Sequence, residues 1–375
     1  MEKLFDTEDE TMLRDAARGF LDEFAPLSVF RKNRDASRDY DPALWAEMAQ
    51  MGWAGVMVPE ANGGADMGHR AAGILCEEMG KTLAASPFIS SAVIAANTLR
   101  ASASDHLAAI AAGEATYALA IDEGAKHSPN ATALAARADG NAFRLSGRKT
   151  FVADGSAASR LLVLARTSGA PGDAQGLTLF DIDAARAGLE IDPTQSIDAR
   201  DFARIDFNDV NATGDDVVGD VDNGLAALAP GLRAGQAALA AELSGLSTGI
   251  AAMTLGYLKE RKQFDRTIGS FQALQHRAAH LFAEIEVTAS AIAAAGRTLD
   301  ADADADAAQV SVSLAKARAT QTAKLAVMEG VQMHGGIGMT DEYDAGFFMK
   351  RARVGAEWLG DYGHHAAIVA ASRGL

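Results

Sequence analysis

Along the first hundred residues apolar side chains recur at steps of three and four, as in Met12, Leu13, Ala16, Ala17, Phe20 and Leu21. That spacing is the period of a helix with one buried face. Thr7 followed by Glu10 predicts a capping box at its start. A second stripe through Leu44, Trp45, Met48 and Met51 stops at Gly52, and Pro59-Glu60-Ala61-Asn62-Gly63-Gly64 then breaks the pattern with turn-forming residues. Helix resumes over about 70–80 and 91–99.

From Thr116 the period shortens, and brief apolar runs separated by Gly, Pro, Asp and Asn continue to about Val218. In Phe202–Phe207 the residues Ala203, Ile205 and Phe207 face one side of a strand, with Arg204 and Asp206 on the other. Leu161–Ala165 is continuously apolar, which predicts a strand buried on both faces. After Gly224, Ala, Leu, Met and Glu dominate up to Arg261 and again through the 270s to 290s, predicting long helices. The acidic run Asp300–Asp306 predicts a solvated connection or a cap on the next helix. A last helical block from about Ser311 to Glu329 leads to His334-Gly335-Gly336-Ile337-Gly338. Helices, then strands, then helices is an α+β class, mainly α, divided at 1–115, 116–220 and 221–375. The alternation of a dinucleotide-binding βαβ domain is absent, and these glycines follow a helix rather than a strand.

Charge and composition narrow the partners. Fifty acidic against 34 basic residues give a formal charge of −16, which excludes nucleic acid as a partner. The lone Cys76 allows no intrachain disulfide and is expected to fill core. His364 and His365 are adjacent, hence on different helix faces, and predict no metal site. The opening residues Met1–Glu10 are charged, unlike a signal peptide, and no run approaches the roughly 20 apolar residues of a membrane span. A soluble, cytoplasmic protein is the expectation.

Candidate chemistry begins at Glu260–Gln272, where one helix ends, the chain turns at Gly269, and another helix opens. Arg261 beside the aromatic Phe264, with the free N–H groups of a new helix, suits a diphosphate and an adenine. The competing reading packs Phe264 and Phe271 into the core. His276 and Arg277 predict a surface ion-pair network.

The pattern Arg261-Lys262-Gln263-Phe264 followed by Ile268-Gly269-Ser270-Phe271-Gln272 resembles the motif with which acyl-CoA dehydrogenases grip FAD across a subunit interface. Leu44-Trp45, Gly52-Trp53-Ala54-Gly55, Val58-Pro59-Glu60 with Gly63-Gly64, and Glu77-Glu78-Met79-Gly80 are similar to that family's N-terminal domain. Gln332-Met333-His334-Gly335-Gly336-Ile337-Gly338 resembles its second FAD segment. The resemblance implies an N-terminal helical domain, a middle β-barrel-like or sandwich domain and a C-terminal four-helix bundle. It implies FAD contacts from Arg261, Phe264, Gln272, Gln332, Gly335 and Gly336. In the β domain Asp122 stands where the family has a flavin-contacting threonine, Ser128 matches a serine, and Phe151 of Gly147–Gly155 takes the aromatic position against the flavin ring. Phe151 as a strand core residue is the alternative.

Desaturating an acyl-CoA also needs a carboxylate within reach of the α-proton. The family's two base positions fall here on Leu359 and on Gly235, which lies 26 residues before Arg261, and neither can accept a proton. Asp361, Glu357 and Glu242 are the neighbouring carboxylates; Asp361 is the candidate base of a chain acting alone. The set Tyr257–Phe264, Ala273–Arg277 and Leu359-Gly360-Asp361 with His364-His365 is similar to the small subunit of pimeloyl-CoA dehydrogenase and to paired dehydrogenase subunits of steroid side-chain degradation. That likeness implies a tetramer, homo- or heteromeric, and in the paired form a second acyl-CoA dehydrogenase subunit carries the base. Electron-transferring flavoprotein would be the acceptor, and fatty acid or steroid catabolism the setting. A noncatalytic assembly subunit of the same fold is the remaining alternative.

Overall fold

The computed structural model describes residues 6–37, 40–102 and 104–375, so the opening stretch Met1–Phe5 lies outside it. The capping box forms as expected. Thr7 Oγ1 accepts from Glu10 N at 3.2 Å and the Glu10 carboxylate accepts from Thr7 N at 3.3 Å, starting α1 (Glu8–Phe24). There follow α2 (Leu27–Asp35), α3 (Pro42–Gln50), α4 (Gly68–Thr82), a π-helical stretch Phe88–Ala95 that runs into α5 (Ala96–Arg100), and α6 (His106–Ala111).

Eight strands come next: β1 (Tyr117–Ala120), β2 (Ala135–Asp139), β3 (Ala142–Ala153), β4 (Arg160–Arg166), β5 (Leu177–Asp183), β6 (Leu189–Pro193), β7 (Phe202–Thr213) and β8 (Val217–Val218). They form one sheet in the order β6-β7-β3-β2-β4-β5-β8, with β1 parallel to β4. The alternation in β7 holds: Ala203, Ile205 and Phe207 are buried and Arg204 is exposed. These residues join Leu145, Val163 and Phe180 in the core of the sheet. Strand β3 breaks register with β7 between Lys149 and Val152, a bulge that carries Thr150 and Phe151.

The last third consists of α7 (Gly224–Glu260), a hairpin of β9 (Lys262–Gln263) and β10 (Arg266–Thr267), α8 (Gln272–Ala301), α9 (Asp306–His334), α10 (Ala345–Glu357) and α11 (Tyr362–Ser372). The turn expected at Gly269 is present as the 3-10 turn Ile268–Ser270 that leads into α8; a further reversal, not expected from the sequence, falls at Phe264–Asp265. Both residues have left-handed φ, +54° and +60°. Neither is the glycine or asparagine that such a two-residue turn favours, so the hairpin leaves no sequence signal. A correction concerns apolar length. Windows of α7 and α8 are long and apolar enough to cross a membrane by length and composition, with mean hydropathy 1.3 and 1.2; 67% of the α7 window is buried inside the protein.

By contacts the chain divides into two compact units. One holds the residues up to Ala36, His69–Ala85 and Gln236–Leu375; the other holds Ser37–Gly68 and Ser86–Gly235. In the first, α4 lies close on α7. A side chain at Gly245 would put its Cβ 1.8 Å from Glu77 O, so only hydrogen fits at that crossing. The same unit buries a network of charge: Arg14 meets Asp6 at 2.7 Å, Glu77 at 2.7 Å and Glu78 at 2.9 Å, and Arg70 meets Asp6 at 2.5 Å. Charges that deep are tolerated because each has a partner. Cys76 is fully buried core.

Candidate active site

In the sheet unit, the turn after β1 is organised by carboxylates. Asp122 Oδ2 accepts from His127 Nδ1 at 2.9 Å, and Oδ1 accepts from Ser128 N at 2.9 Å. Both oxygens of Asp122 are thus engaged within their own turn, an arrangement the threonine of the resembled motif could not make. Glu123 accepts from the N–H groups of Ala133 and Leu134 and from Lys149 Nζ at 2.8 Å. Lys149 is fully buried and also donates to Ile121 O and Thr132 Oγ1, each at 3.1 Å. Burial pushes its amine down to about 8, although Glu123 pulls the other way. The backbone of the bulge is tied to the same turn by Thr150 N donating to Asp122 O at 2.9 Å.

Phe151 sits on that bulge with φ +51° and is 60% exposed. The core reading of this side chain is therefore wrong. A phenyl group in the left-handed region, held out of the sheet, is a strained arrangement that structures retain at functional positions. Asp122, Ser128 and Phe151 come together through these bonds; the partners of Asp122 were not legible, because an Asp-to-His bond five residues apart has no repeating pattern.

In the helical unit, Phe264 is 86% exposed at the hairpin tip, and its ring centroid lies 6.1 Å from that of Phe271 in an edge-to-face arrangement. The core reading fails here as well. Arg261 and Gln272 are exposed, and Arg266 lies over Phe271 at 3.9 Å. Helix α8 begins at Gln272 with no side-chain cap and no acidic residue in its first turn. Its first amides and partial positive charge therefore face outward unsatisfied by side chains. Arg277 pairs with Glu329 at 2.6 Å, the ion pair expected there.

Helix α9 ends at His334, whose Nδ1 donates to Gly330 O at 2.6 Å while Nε2 accepts from the Tyr343 hydroxyl at 3.0 Å. Its ring lies 4.6 Å from each of Tyr257 and Tyr343, and burial lowers its pKa. This packed base carries the exposed Gln332, Gly335 and Gly336. Gly335 has φ +67°, and a Cβ at either glycine would meet no atom within 4 Å. Gly336 has neither backbone strain nor neighbours to require a glycine, so its smallness leaves room beside the backbone for something else.

The base positions are occupied as the sequence states. Gly235 is a buried residue of α7, and Leu359 is 2% exposed with φ +57°. The three neighbouring carboxylates are each committed. Asp361 is the N-cap of α11, accepting from His364 N at 2.9 Å; Glu357 meets Arg353 at 2.6 Å; Glu242, buried, lies 3.4 Å from Arg351. Around the Leu359 turn the structure gathers Gln236 and Lys316, which the sequence reading does not single out, and His365, which it names only in the motif and as no metal ligand. Gln236 and His365 bond Leu359 O, and fully buried Lys316 bonds Gly355 O and Gly360 O. A signal for Lys316 existed: it falls on the apolar stripe Val312, Ala315, Ala319 and Ala323 of α9. Among the described residues no group of His, Cys, Asp and Glu forms a metal site.

Comparison with known proteins agrees with this layout. The chain matches three acyl-CoA dehydrogenase profiles: the N-terminal domain over residues 7–114, the middle domain over 120–210 and the C-terminal domain over 222–373. It is 30% identical over 354 residues to the acyl-CoA dehydrogenase IpdE2 of Mycobacterium tuberculosis, covering 94% of this chain and 93% of that protein. It is 26% identical over 375 residues to a 3-(aryl)acrylate reductase of Clostridium sporogenes, covering 95% and 96%. A solved structure of the Tcur3481-Tcur3483 steroid ACAD superposes with a TM-score of 0.86 at 29% identity, covering 98% of this chain and 99% of that one. Profiles that tile nearly the whole chain, and a full-length relative at that identity, place this protein in the acyl-CoA dehydrogenase family of flavoprotein oxidoreductases acting on CH–CH bonds.

Proposed function

We propose that the chain is the FAD-holding subunit of a paired acyl-CoA dehydrogenase whose second subunit supplies the base. The observation that carries this reading is the state of the base positions: Leu359 and Gly235 cannot accept a proton, and Asp361, Glu357 and Glu242 are each bonded to another group of the chain. The resemblance to paired steroid-degradation subunits, and the solved pair that the chain superposes on, support it.

The cofactor-facing residues fit FAD. Arg261 and the uncapped start of α8 offer donors to a diphosphate, and Gln272 extends from the first turn. Phe264 offers an exposed ring, while Gly335 and Gly336 beside Gln332 leave space for an adenine-bearing half. Phe151 and the Asp122–Ser128 turn take the ring end. Arg261, Phe264, Gln272, Gln332, Gly335 and Gly336 would hold the cofactor, which would supply a hydride acceptor. In this reading the chain's own residues bind and orient, and the α-proton goes to the partner subunit's carboxylate. A tetramer with two kinds of subunit, electron-transferring flavoprotein as acceptor, and a cytoplasmic setting complete the proposal.

The test is the flavin spectrum. The purified chain is expected to be yellow and to keep its absorbance when mixed anaerobically with a panel of acyl-CoAs; coexpression with a neighbouring dehydrogenase-like chain restores bleaching. Bleaching by the chain alone at the rate of the pair would overturn the reading. If that activity is lost in Asp361→Asn with FAD retained, a stand-alone enzyme using Asp361 takes its place. A colourless preparation would instead point to a noncatalytic assembly subunit.

A further inference from the structure

Leu359 is the buried non-glycine residue whose left-handed φ lies in the turn between α10 and α11. That conformation is strained for an L-residue and persists only where the surroundings over-determine it. Here they do. From α7, Gln236 Nε2 donates to Leu359 O at 3.2 Å, and from α11, His365 Nε2 donates to the same oxygen at 3.1 Å. From α9, Lys316 Nζ donates to Gly355 O at 3.0 Å and to Gly360 O at 3.1 Å. Gly355 O is among the last carbonyls of α10, which have no partner within their own helix. The turn cannot relax at its next residue either: Gly360 has φ +106°, and a Cβ there would lie 2.7 Å from His364 Cδ2.

We propose that Lys316 and Gln236 are positioning residues, a clamp that holds the turn Trp358–Asp361 in the one backbone conformation that presents position 359 to the acyl group. The inference rests on the reading that the chain binds an acyl-CoA. A purely structural turn would be served better by a relaxed φ and an apolar side chain at 316, since a fully buried amine is expensive and apolar replacements of buried charge are often neutral or stabilising. Burial brings the Lys316 amine down to about 7 against the pull of Glu357 and Asp361, with His365 also facing the turn. Protonated or neutral, the amine keeps at least two N–H donors, so both carbonyls stay served. Gln236 has a buried Oε1 with no partner among the described residues, a cost that a packing role alone does not explain.

The experiment uses the full FAD-loaded chain, with octanoyl-CoA as the probe and the shift of the flavin absorbance bands as the binding signal. Lys316→Met and Gln236→Met are expected to keep their FAD and to weaken octanoyl-CoA binding at least tenfold. Gln236→Met should do so without loss of melting temperature, because it also removes an unpaired buried oxygen. Amide hydrogen exchange at Leu359–Asp361 should quicken at least tenfold in both. Binding within twofold of the unsubstituted chain, or unchanged exchange in the turn, would overturn the clamp. If Lys316→Met does not fold, Gln236→Met carries the same two outcomes. If the unsubstituted chain binds no acyl-CoA, the functional reading falls, and the exchange measurement alone decides whether the clamp exists.

Discussion

Gln236 donates to the carbonyl oxygen of Leu359 across 3.2 Å, so a single amide follows Gly235 in the chain and grips the residue at the family's other base position. Position 359 is thus held in place by its own backbone, and Gly235 is itself buried in α7. A turn preserved in a strained conformation, with an apolar side chain where chemistry would need an acid, is the pattern expected when one subunit keeps the scaffold and another keeps the reactive group.

Restoring the base should therefore be possible. Leu359→Glu is expected to let the purified chain bleach its flavin with an acyl-CoA under anaerobic conditions, which stopped-flow absorbance would read. The carboxylate replaces a side chain only 2% exposed, so the melting temperature should fall, by an amount corresponding to about 2–4 kcal/mol. A folded, yellow Leu359→Glu protein that shows no bleaching with the substrate of the pair would count against a base-less but otherwise competent site.

Phe264 should separate cofactor binding from stability. Its ring is 86% exposed, and its φ of +54° suits asparagine better than phenylalanine. Phe264→Asn is expected to leave the melting temperature of the FAD-free protein level or raised by a degree or two, while FAD retention on gel filtration falls at least tenfold. A substantial loss of stability without loss of FAD would show that the ring serves the fold.

Gly336 offers a second separation. Nothing lies within 4 Å of a Cβ built there, and its backbone is unstrained, so Gly336→Ala should be neutral to unfolding within about 0.5 kcal/mol. Its FAD dissociation constant, measured by fluorescence quenching, should rise severalfold. Equal FAD affinity would show that the space beside this glycine is not the cofactor's.

The two buried lysines predict a particular pH dependence. Burial depresses Lys149 to about 8 and Lys316 to about 7 from an unfolded value of 10.5. Between those values the unfolded chain binds more protons than the folded one, so stability rises with pH. Their contribution is fully present above about 10.5 and is lost as pH falls through 8 and then 7. Urea unfolding at pH 7, 8 and 9 should show rising midpoints, and Lys316→Met should flatten the rise. An unchanged slope in that variant would mean that Lys316 does not titrate in this range.

Acid should act on another element. Burial alone would raise the Asp6 carboxyl, but hydrogen bonds and charge from Arg14 and Arg70 outweigh it and hold the group below the usual aspartate range. Stability from this group is present above the unfolded pKa of 3.8 and is lost as pH falls through the lowered folded value. Asp6→Asn, which removes the carboxylate shared by Arg14 and Arg70 and leaves them Glu77, Glu78 and Glu10, is expected to cost about 3 kcal/mol at pH 7 by denaturant unfolding. A cost below about 0.5 kcal/mol would show that Glu77 and Glu78 neutralise Arg14 without it.

What the sequence by itself determined is whatever depends on neighbours within a few residues or on a long shared pattern. The capping box at Thr7 and Glu10, the alternation of Phe202–Phe207, the buried run of β4 and the family all belong there, since helical and strand periods repeat locally and motifs spread over the chain reinforce one another. Absence of a base at 359 and 235 was equally plain, because no fold can make leucine or glycine accept a proton. Tertiary structure alone decided the rest. The left-handed backbone of Phe151, Phe264 and Leu359 is imposed by a bulge, a tight hairpin and a clamped turn, none of which these side chains prefer. The commitment of Asp361 to a helix cap, and of Lys316 to carbonyls 39 and 44 residues away, depends on helices meeting in space, where desolvation forces each buried polar group to find a partner that sequence separation does not reveal.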